Sequence, residues 1–269
     1  MPYVDVHCHI NHEKLKDKLD EVLARAKEKD VAEIILSGVN PAGNKEVLAL
    51  SEKYPMIKAS LGMYPIDILG LGSDEVGLPE HKGKIDLDKE FEFIKENLDK
   101  VISIGEIGMD FHWASKEDTL EKQKANFRKI IRFAKEIKKP IVIHSRKAEL
   151  ECIEVLKEEI QNNEIFIVQH CFSGKKRLIK EAAELGHYFS VPANVVKSQN
   201  FQMLVELVDI KQLLTETDAP WLSPDKEKLN EPMFVVNAVK KIAEIKGITE
   251  KEAKNQIWNN YIKVFGGDV

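Results

Sequence analysis

Eight short apolar runs, separated by polar or amphipathic stretches, constrain this chain more tightly than any other feature of its sequence. The runs lie at 3–8, 33–37, 57–61, 101–106, 141–144, 165–170, 187–191 and 212–217. Each has the length of a strand, and every gap exceeds the roughly dozen residues that a parallel crossover needs. Two gaps show a helical period. One helix is predicted over 117–137, with Leu120, Phe127, Ile130, Ile131, Ala134 and Ile137 on one face, and Lys138, Lys139 and Pro140 stop it. Another carries Val235, Val239, Ile242 and Ala243 on one face. Strands that alternate with helices pair in parallel. Eight such units in 269 residues favour a closed α/β TIM (β/α)8 barrel over an open doubly wound sheet. An open sheet usually places a glycine-rich phosphate loop after its first strand. Here that strand ends in His7-Cys8-His9. No internal repeat or linker divides the chain, so residues 1–269 are expected to form one domain. The connection 62–84 is long, repeatedly carries Gly and Pro, and shows no clear period.

Composition narrows the setting. With 43% hydrophobic residues the chain can fill a sizeable core, and 32% charged residues solvate its surface. A net charge of -5 argues against a protein that coats nucleic acid, so any polyanion must be attracted locally. Lysine supplies most of the positive charge, since Arg occurs only at 25, 128, 132, 146 and 177. Cys8, Cys152 and Cys171 are odd in number and form no C-x-x-C, which argues against a disulfide framework and fits a reducing compartment better. No run reaches membrane-spanning length and the first residues show no signal-peptide core. A cytoplasmic protein, with no membrane and no obligate protein partner, is the expectation.

The chemistry gathers at the strand ends. His7 and His9 close the first strand, Glu106 the fourth, His144 the fifth and His170 the sixth, and Asp218 follows the eighth. Residues i and i+2 of a strand share a face, so His7 and His9 point together and Cys8 points away. Strand ends on one rim of a barrel converge on a single pocket. Any one of these residues alone reads as a satisfied polar group or a helix cap. Together, four imidazoles and two carboxylates form the donor set of a borderline divalent ion, and burying them without a cation is costly.

At these residues the sequence resembles the TatD-type metal-dependent hydrolases, or TatD deoxyribonucleases, of the amidohydrolase superfamily. The matching segments are V-D-V-H-C-H at 4–9, I-G-E-I-G-M-D at 104–110, P-I-V-I-H-S-R at 140–146, Q-H-C-F-S-G at 169–174, L-L-T-E-T-D-A-P-W-L at 213–222 and N-E-P at 230–232. They run in order across nearly the whole chain. The resemblance implies two divalent ions (Zn, Mg or Mn), one held by His7, His9 and Asp218, the other by His144 and His170, with Glu106 bridging them. It also implies Asp218 as the proton acceptor for the attacking water. The sequence departs from the family's G-x-H-P, reading Gly62-Met63-Tyr64-Pro65. Tyr64 can donate a hydrogen bond but is neutral near pH 7.

Further residues have two readings each. Tyr64, Asp110, His112, Arg146, Ser173 and Asn230 are the candidates for substrate contact. Arg146 could grip a phosphate or pair with Glu216 or another rim acid. Ser173 and Gly174, read as opening the helix after His170, could receive an oxyanion or simply cap it. His112 with Trp113 could instead be a packed cluster, and Asn230 with Glu231 could fix the last rim loop. Lys228 could replace the basic residue that relatives carry before N-E-P. Lys175, Lys176 and Lys197 read as solvated surface, His12, His81 and His187 as structural or surface residues, and Cys171 as facing away from the site. The leading expectation is a phosphodiesterase or deoxyribonuclease that works exonuclease-like on single-stranded DNA or strand ends. The alternatives are hydrolysis of a small amide, lactone or ester, and a non-catalytic barrel that only binds.

Overall fold

The computed structural model describes residues 1–71, 77–161 and 164–266. From the N-terminus the elements are β1 (Tyr3–Cys8), α1 (Glu13–Lys16), α2 (Leu19–Glu28), β2 (Val31–Ser37), α3 (Pro41–Lys53), β3 (Ile57–Leu61), α4 (Pro65–Leu69) and α5 (Leu87–Glu96). Then follow β4 (Val101–Gly108), α6 (Lys116–Glu136), β5 (Ile141–His144), α7 (Glu149–Glu159), β6 (Ile167–Gln169) and α8 (Lys176–Glu184). The last are β7 (Tyr188–Pro192), α9 (Gln199–Leu207), β8 (Leu213–Glu216), α10 (Val235–Lys246) and α11 (Glu250–Phe265). The eight strands form one sheet in chain order, with each consecutive pair parallel. This is the TIM barrel that the alternation of runs predicts.

Hydrogen bonds between the first and last strand regions draw the sheet round on itself. Thr215 Oγ1 donates to Val4 O at 2.8 Å, and Asp218 N to His7 O at 3.0 Å. The fully buried Asp5 carboxylate accepts Thr217 N at 2.9 Å and the Thr217 hydroxyl. Helices pack outside. On α6, Phe127, Ile130, Ile131 and Ala134 are buried as predicted, whereas Leu120 is half-buried and Thr119 takes the inward position. The helix begins at Lys116, and the Thr119 hydroxyl bonds Ser115 O, which turns that first-turn residue inward.

Strand limits depart from the apolar runs by a residue or two. β4 continues to Gly108, β6 stops at Gln169, and His187 precedes β7. A ladder needs hydrogen-bonded neighbours, whereas an apolar run also counts residues that only pack. Among the described residues, the stretch 62–84 after β3 contains one short helix, α4, which Pro65 starts and left-handed Gly70 ends. Residues 72–76 of that connection lie outside the described residues. Among the described residues no helix is long and apolar enough to cross a membrane.

Candidate metal centre

β1 supplies the first pair. Its alternation turns His7 and His9 to the barrel interior, their Nε2 atoms 3.1 Å apart, while Cys8 Sγ donates outward to Ile35 O. Ser37, at the end of β2, steadies both rings. His7 Nδ1 faces Ser37 Oγ at 3.0 Å, and His9 Nδ1 donates to Ser37 O at 3.1 Å. A carbonyl only accepts, so the His9 proton sits on Nδ1 and Nε2 keeps its lone pair for the centre. His170, one residue past β6, is oriented the same way: its Nδ1 donates to Glu216 Oε2 at 2.8 Å. Glu216, fully buried, also accepts Ser190 Oγ at 2.6 Å and Cys171 N at 3.0 Å.

Glu106 of β4 lies in the middle. Its Oε2 is 3.5 Å from His7 Nε2 and 3.4 Å from His9 Nε2, and its Oε1 is 2.6 Å from His144 Nδ1 and 3.7 Å from His170 Nε2. Asp218 Oδ1 closes the first group, 3.7 Å from His7 Nε2 and 3.8 Å from His9 Nε2. The two groups touch, because the His7 and His170 rings stack at 3.7 Å. Among the described residues three triplets have donor atoms within 4.8 Å of one another: His7, His9 and Glu106; His7, His170 and Asp218; Glu106, His144 and His170. Glu106 can reach its place because position 62 has no side chain. A Cβ on Gly62 would stand 2.1 Å from Glu106 N.

The charges explain what such a cluster wants. Burial alone would raise the Glu106 pKa, but its hydrogen bond with His144, supported by His7 and His9, holds it well below the usual carboxylate range. Burial would lower His144, yet Asp110 and Glu106 lift it to about 9; Glu216, Glu106 and Asp218 do the same for His170, to about 10. His7 goes the other way, driven down by burial and by repulsion from His170. Burial lifts Asp218 to about 7 against the pull of His170 and His9. Stacked imidazoles crowded around carboxylates cannot all hold protons, and a divalent cation is the natural replacement. Nitrogen and oxygen donors in triplets fit zinc or a similar ion.

A cavity of about 330 Å³ opens over the centre. Arg146, Cys171, Ser173, Phe201, Trp221 and Leu222 join the centre's own residues in its wall. Cys171 is therefore not turned away: β6 has ended, its φ is +45°, and strand alternation no longer applies. Arg146 is exposed, with its guanidinium 5.6 Å over the Trp113 ring, and Glu216 is engaged elsewhere. Ser173 donates to Glu149 at 3.1 Å. It does not open a helix, because α8 starts only at Lys176 and has no side-chain cap. Exposed His112 packs edge-on to Trp113, with ring centroids 4.6 Å apart.

Tyr64, Asp110 and Asn230 are buried away from that wall. Asn230 Nδ2 donates to Thr217 O and Trp221 O, both at 2.6 Å, and so fixes the rim loop that carries Asp218. Glu231 is tied to Arg25 at 2.7 and 2.9 Å. Lys228 pairs with Asp225 at 3.4 Å, and Lys175, Lys176 and Lys197 are exposed. His12 is buried as the cap of α1 and edge-on to Trp221, His81 is half-buried, and His187 is buried beside Gln169. Sequence reasoning missed Ser37, Phe201 and Trp221, and the part that Glu216 plays in orienting His170. Ser37 ends a strand, which is the signal that found the histidines; nothing local marks the others.

An imidazole and carboxylate cluster at the C-terminal rim of such a barrel is the frame of a metal-dependent hydrolase. Residues 4–266 match the family model described as TatD related DNase, and the chain belongs to that family. It is 36% identical, over 98% of its length and 96% of the relative's, to an uncharacterized metal-dependent hydrolase of Methanocaldococcus jannaschii. It is 29% identical to the deoxyribonuclease TATDN3 of Homo sapiens, covering 97% of this chain and 94% of that one. A crystal structure of a TatD homologue from Escherichia coli superposes with a TM-score of 0.85 at 23% identity, covering 99% and 98% of the two chains. The protein is thus a metal-dependent hydrolase of the TatD family.

Proposed function

We propose that the chain is a two-metal phosphodiesterase that releases nucleotides from the ends of DNA strands, working as one domain in the cytoplasm. One observation carries this reading: the two oxygens of Glu106 face two separate donor groups. His7, His9 and Asp218 would hold one ion, His144 and His170 the other, with Glu106 shared. Zn, Mn and Mg are the candidates. Bound ions supply Lewis-acid polarisation of a phosphoryl oxygen and make water acidic near neutral pH. Asp218, at the mouth of the centre, takes the proton of the attacking water on its carboxylate. Arg146 in the cavity wall offers a guanidinium to a non-bridging phosphate oxygen. Relatives named deoxyribonucleases support DNA as the substrate. A net charge of -5 fits a grip on few phosphates, so salt should weaken binding only modestly.

The cavity is small enough to suit a small ester or amide too, and the test separates the two classes. Enzyme loaded with Zn, Mn or Mg is offered a labelled oligonucleotide and a panel of lactones and N-acyl compounds, beside Glu106→Ala. Nucleotide release should appear, vanish with chelator and return with the ion. Rapid carbonyl hydrolysis, with no nuclease activity above the Glu106→Ala background, would move the assignment to the amidohydrolase class.

A further inference from the structure

Asp110 is fully buried just beyond β4, and its carboxylate is surrounded by donors. Oδ1 accepts His112 N at 2.7 Å and Trp113 N at 2.8 Å. Oδ2 accepts the Tyr64 hydroxyl at 2.9 Å and faces His144 Nε2 at 2.8 Å. Gln123 clamps the main chain here, accepting Asp110 N at 2.8 Å and donating to Asp110 O at 2.9 Å. Two backbone donors on Oδ1 prevent the carboxylate from turning, so Oδ2 stays aimed at the imidazole. Tyr64 is placed as firmly. Its N donates to Val39 O at 2.7 Å, and its ring lies edge-on to His144 with centroids 4.8 Å apart.

A carboxylate only accepts, so Nε2 of His144 must carry a proton. The nitrogen left to give up its proton and offer a lone pair is Nδ1, the one that faces Glu106. We infer that Asp110 and Tyr64 are positioning residues: through His144 they select Nδ1 as the ligating nitrogen and so complete the half of the centre shared with His170. This rests on the two-metal reading above. It replaces substrate contact, the role expected of both residues from sequence, and it agrees with their burial outside the cavity wall. The other three imidazoles present Nε2 inward. His144 alone presents Nδ1, so it alone needs an acceptor held against Nε2.

Asp110→Asn tests this sharply. The two backbone N–H groups keep the amide oxygen at the Oδ1 place, so the amide NH₂ falls where Oδ2 was and donates to Nε2. The ring must then accept there and protonate Nδ1, which closes it to a cation. Tyr64→Phe removes one donor and leaves the Asp110 contact, so its effect should be smaller. Co²⁺ is titrated into metal-free protein by absorption spectroscopy, with a thermal melt of each variant as the folding control. Wild type should take two equivalents. Asp110→Asn should keep one at wild-type affinity and bind the other about 10- to 100-fold more weakly, the scale of losing an outer partner of a ligand histidine. Tyr64→Phe should take two, the second weakened several-fold. Wild-type titrations in both variants, with only KM raised, would overturn the inference and make these residues substrate contacts. If Asp110→Asn does not fold, Tyr64→Phe decides: an unchanged second affinity overturns the proposal. A wild-type stoichiometry of one would instead bring down the two-metal reading and this inference with it.

Discussion

The smallest features of the rim carry its chemistry. Asp218 is left-handed at φ +56°, sits in the cavity wall, and is the more exposed of the two carboxylates in the centre. Burial lifts its pKa to about 7 in the absence of a cation. Asp218→Asn keeps the shape and removes the proposed base. Turnover on the oligonucleotide should fall by ~10²-fold or more, the scale of a positioned general base, while the melting curve stays cooperative. Steady-state rates measured beside metal content decide the point: near-normal turnover in fully loaded variant would exclude Asp218 as the proton acceptor. The short distances around Glu106 and Glu216 bear on the same question. His144 and His170 hold these two at 2.6 and 2.8 Å, whereas Asp218 stands 3.7 and 3.8 Å from His7 and His9, which favours Asp218 as the proposed proton acceptor.

Among the elements, β4 is packed closely on both sides, first against the end of β3. A Cβ on Gly62 would meet Glu106 N at 2.1 Å and Gly105 C at 2.3 Å, and both are backbone atoms that cannot swing aside. Asn44 holds the same glycine from outside, accepting its N–H at 3.0 Å and donating to its O at 2.9 Å. Gly62→Ala should therefore force β3 away from β4 and carry Glu106 with it. Overpacking of this kind costs roughly 1–3 kcal/mol. The melting temperature should drop and the stoichiometry of Co²⁺ binding should fall together. A variant that melts and titrates like wild type would show that the junction gives way without moving Glu106. Gly108 meets the same demand on the other side of the strand, with φ +144° and the backbone O of His144 2.0 Å from where its Cβ would lie. Gly62 thus lets the end of β3 close on the strand bearing Glu106, and Gly108 lets that strand close on the one bearing His144.

At the scale of the whole molecule, stability and catalysis sit in different places. The rim that carries the metal centre holds a crowd of ionisable groups, whereas His187, just before β7, is buried with no charged partner among the described residues. Burial drives its pKa down from 6.5 to about 4, and Gln169 Nε2 lies 3.0 Å from its Nδ1, a contact that asks for an unprotonated nitrogen. The folded state refuses a proton that the unfolded chain accepts. Its contribution is therefore fully present above pH 6.5 and is lost as the pH falls from there through 4. The gap is worth at most about 3 kcal/mol. Thermal melts of wild type and His187→Gln between pH 8 and 4 should converge as the pH falls, since the variant lacks this loss. Parallel curves would remove His187 from the acid response.

Much of this protein is written locally. A period of two puts His7 and His9 on one face whatever lies around them, and eight apolar runs with long gaps leave little choice but parallel strands. Six donors at strand ends then meet at one rim, because a barrel gathers the ends of all its strands. Departures begin where a contact depends on a partner distant in sequence. Cys171 turns into the cavity because β6 stops two residues earlier. Glu216 serves His170 and Ser190, an arrangement set by how β6, β7 and β8 lie side by side. Ser173 misses the start of α8 by the length of one turn. Tyr64 and Asp110 look like substrate contacts in a linear reading, since both follow strand ends, yet packing against Gln123 and His144 buries them. Periodicity is a property of one segment and survives translation into sequence. Register between strands, the path of a loop and the partner of a buried polar atom arise only when segments far apart in the chain compete for the same space.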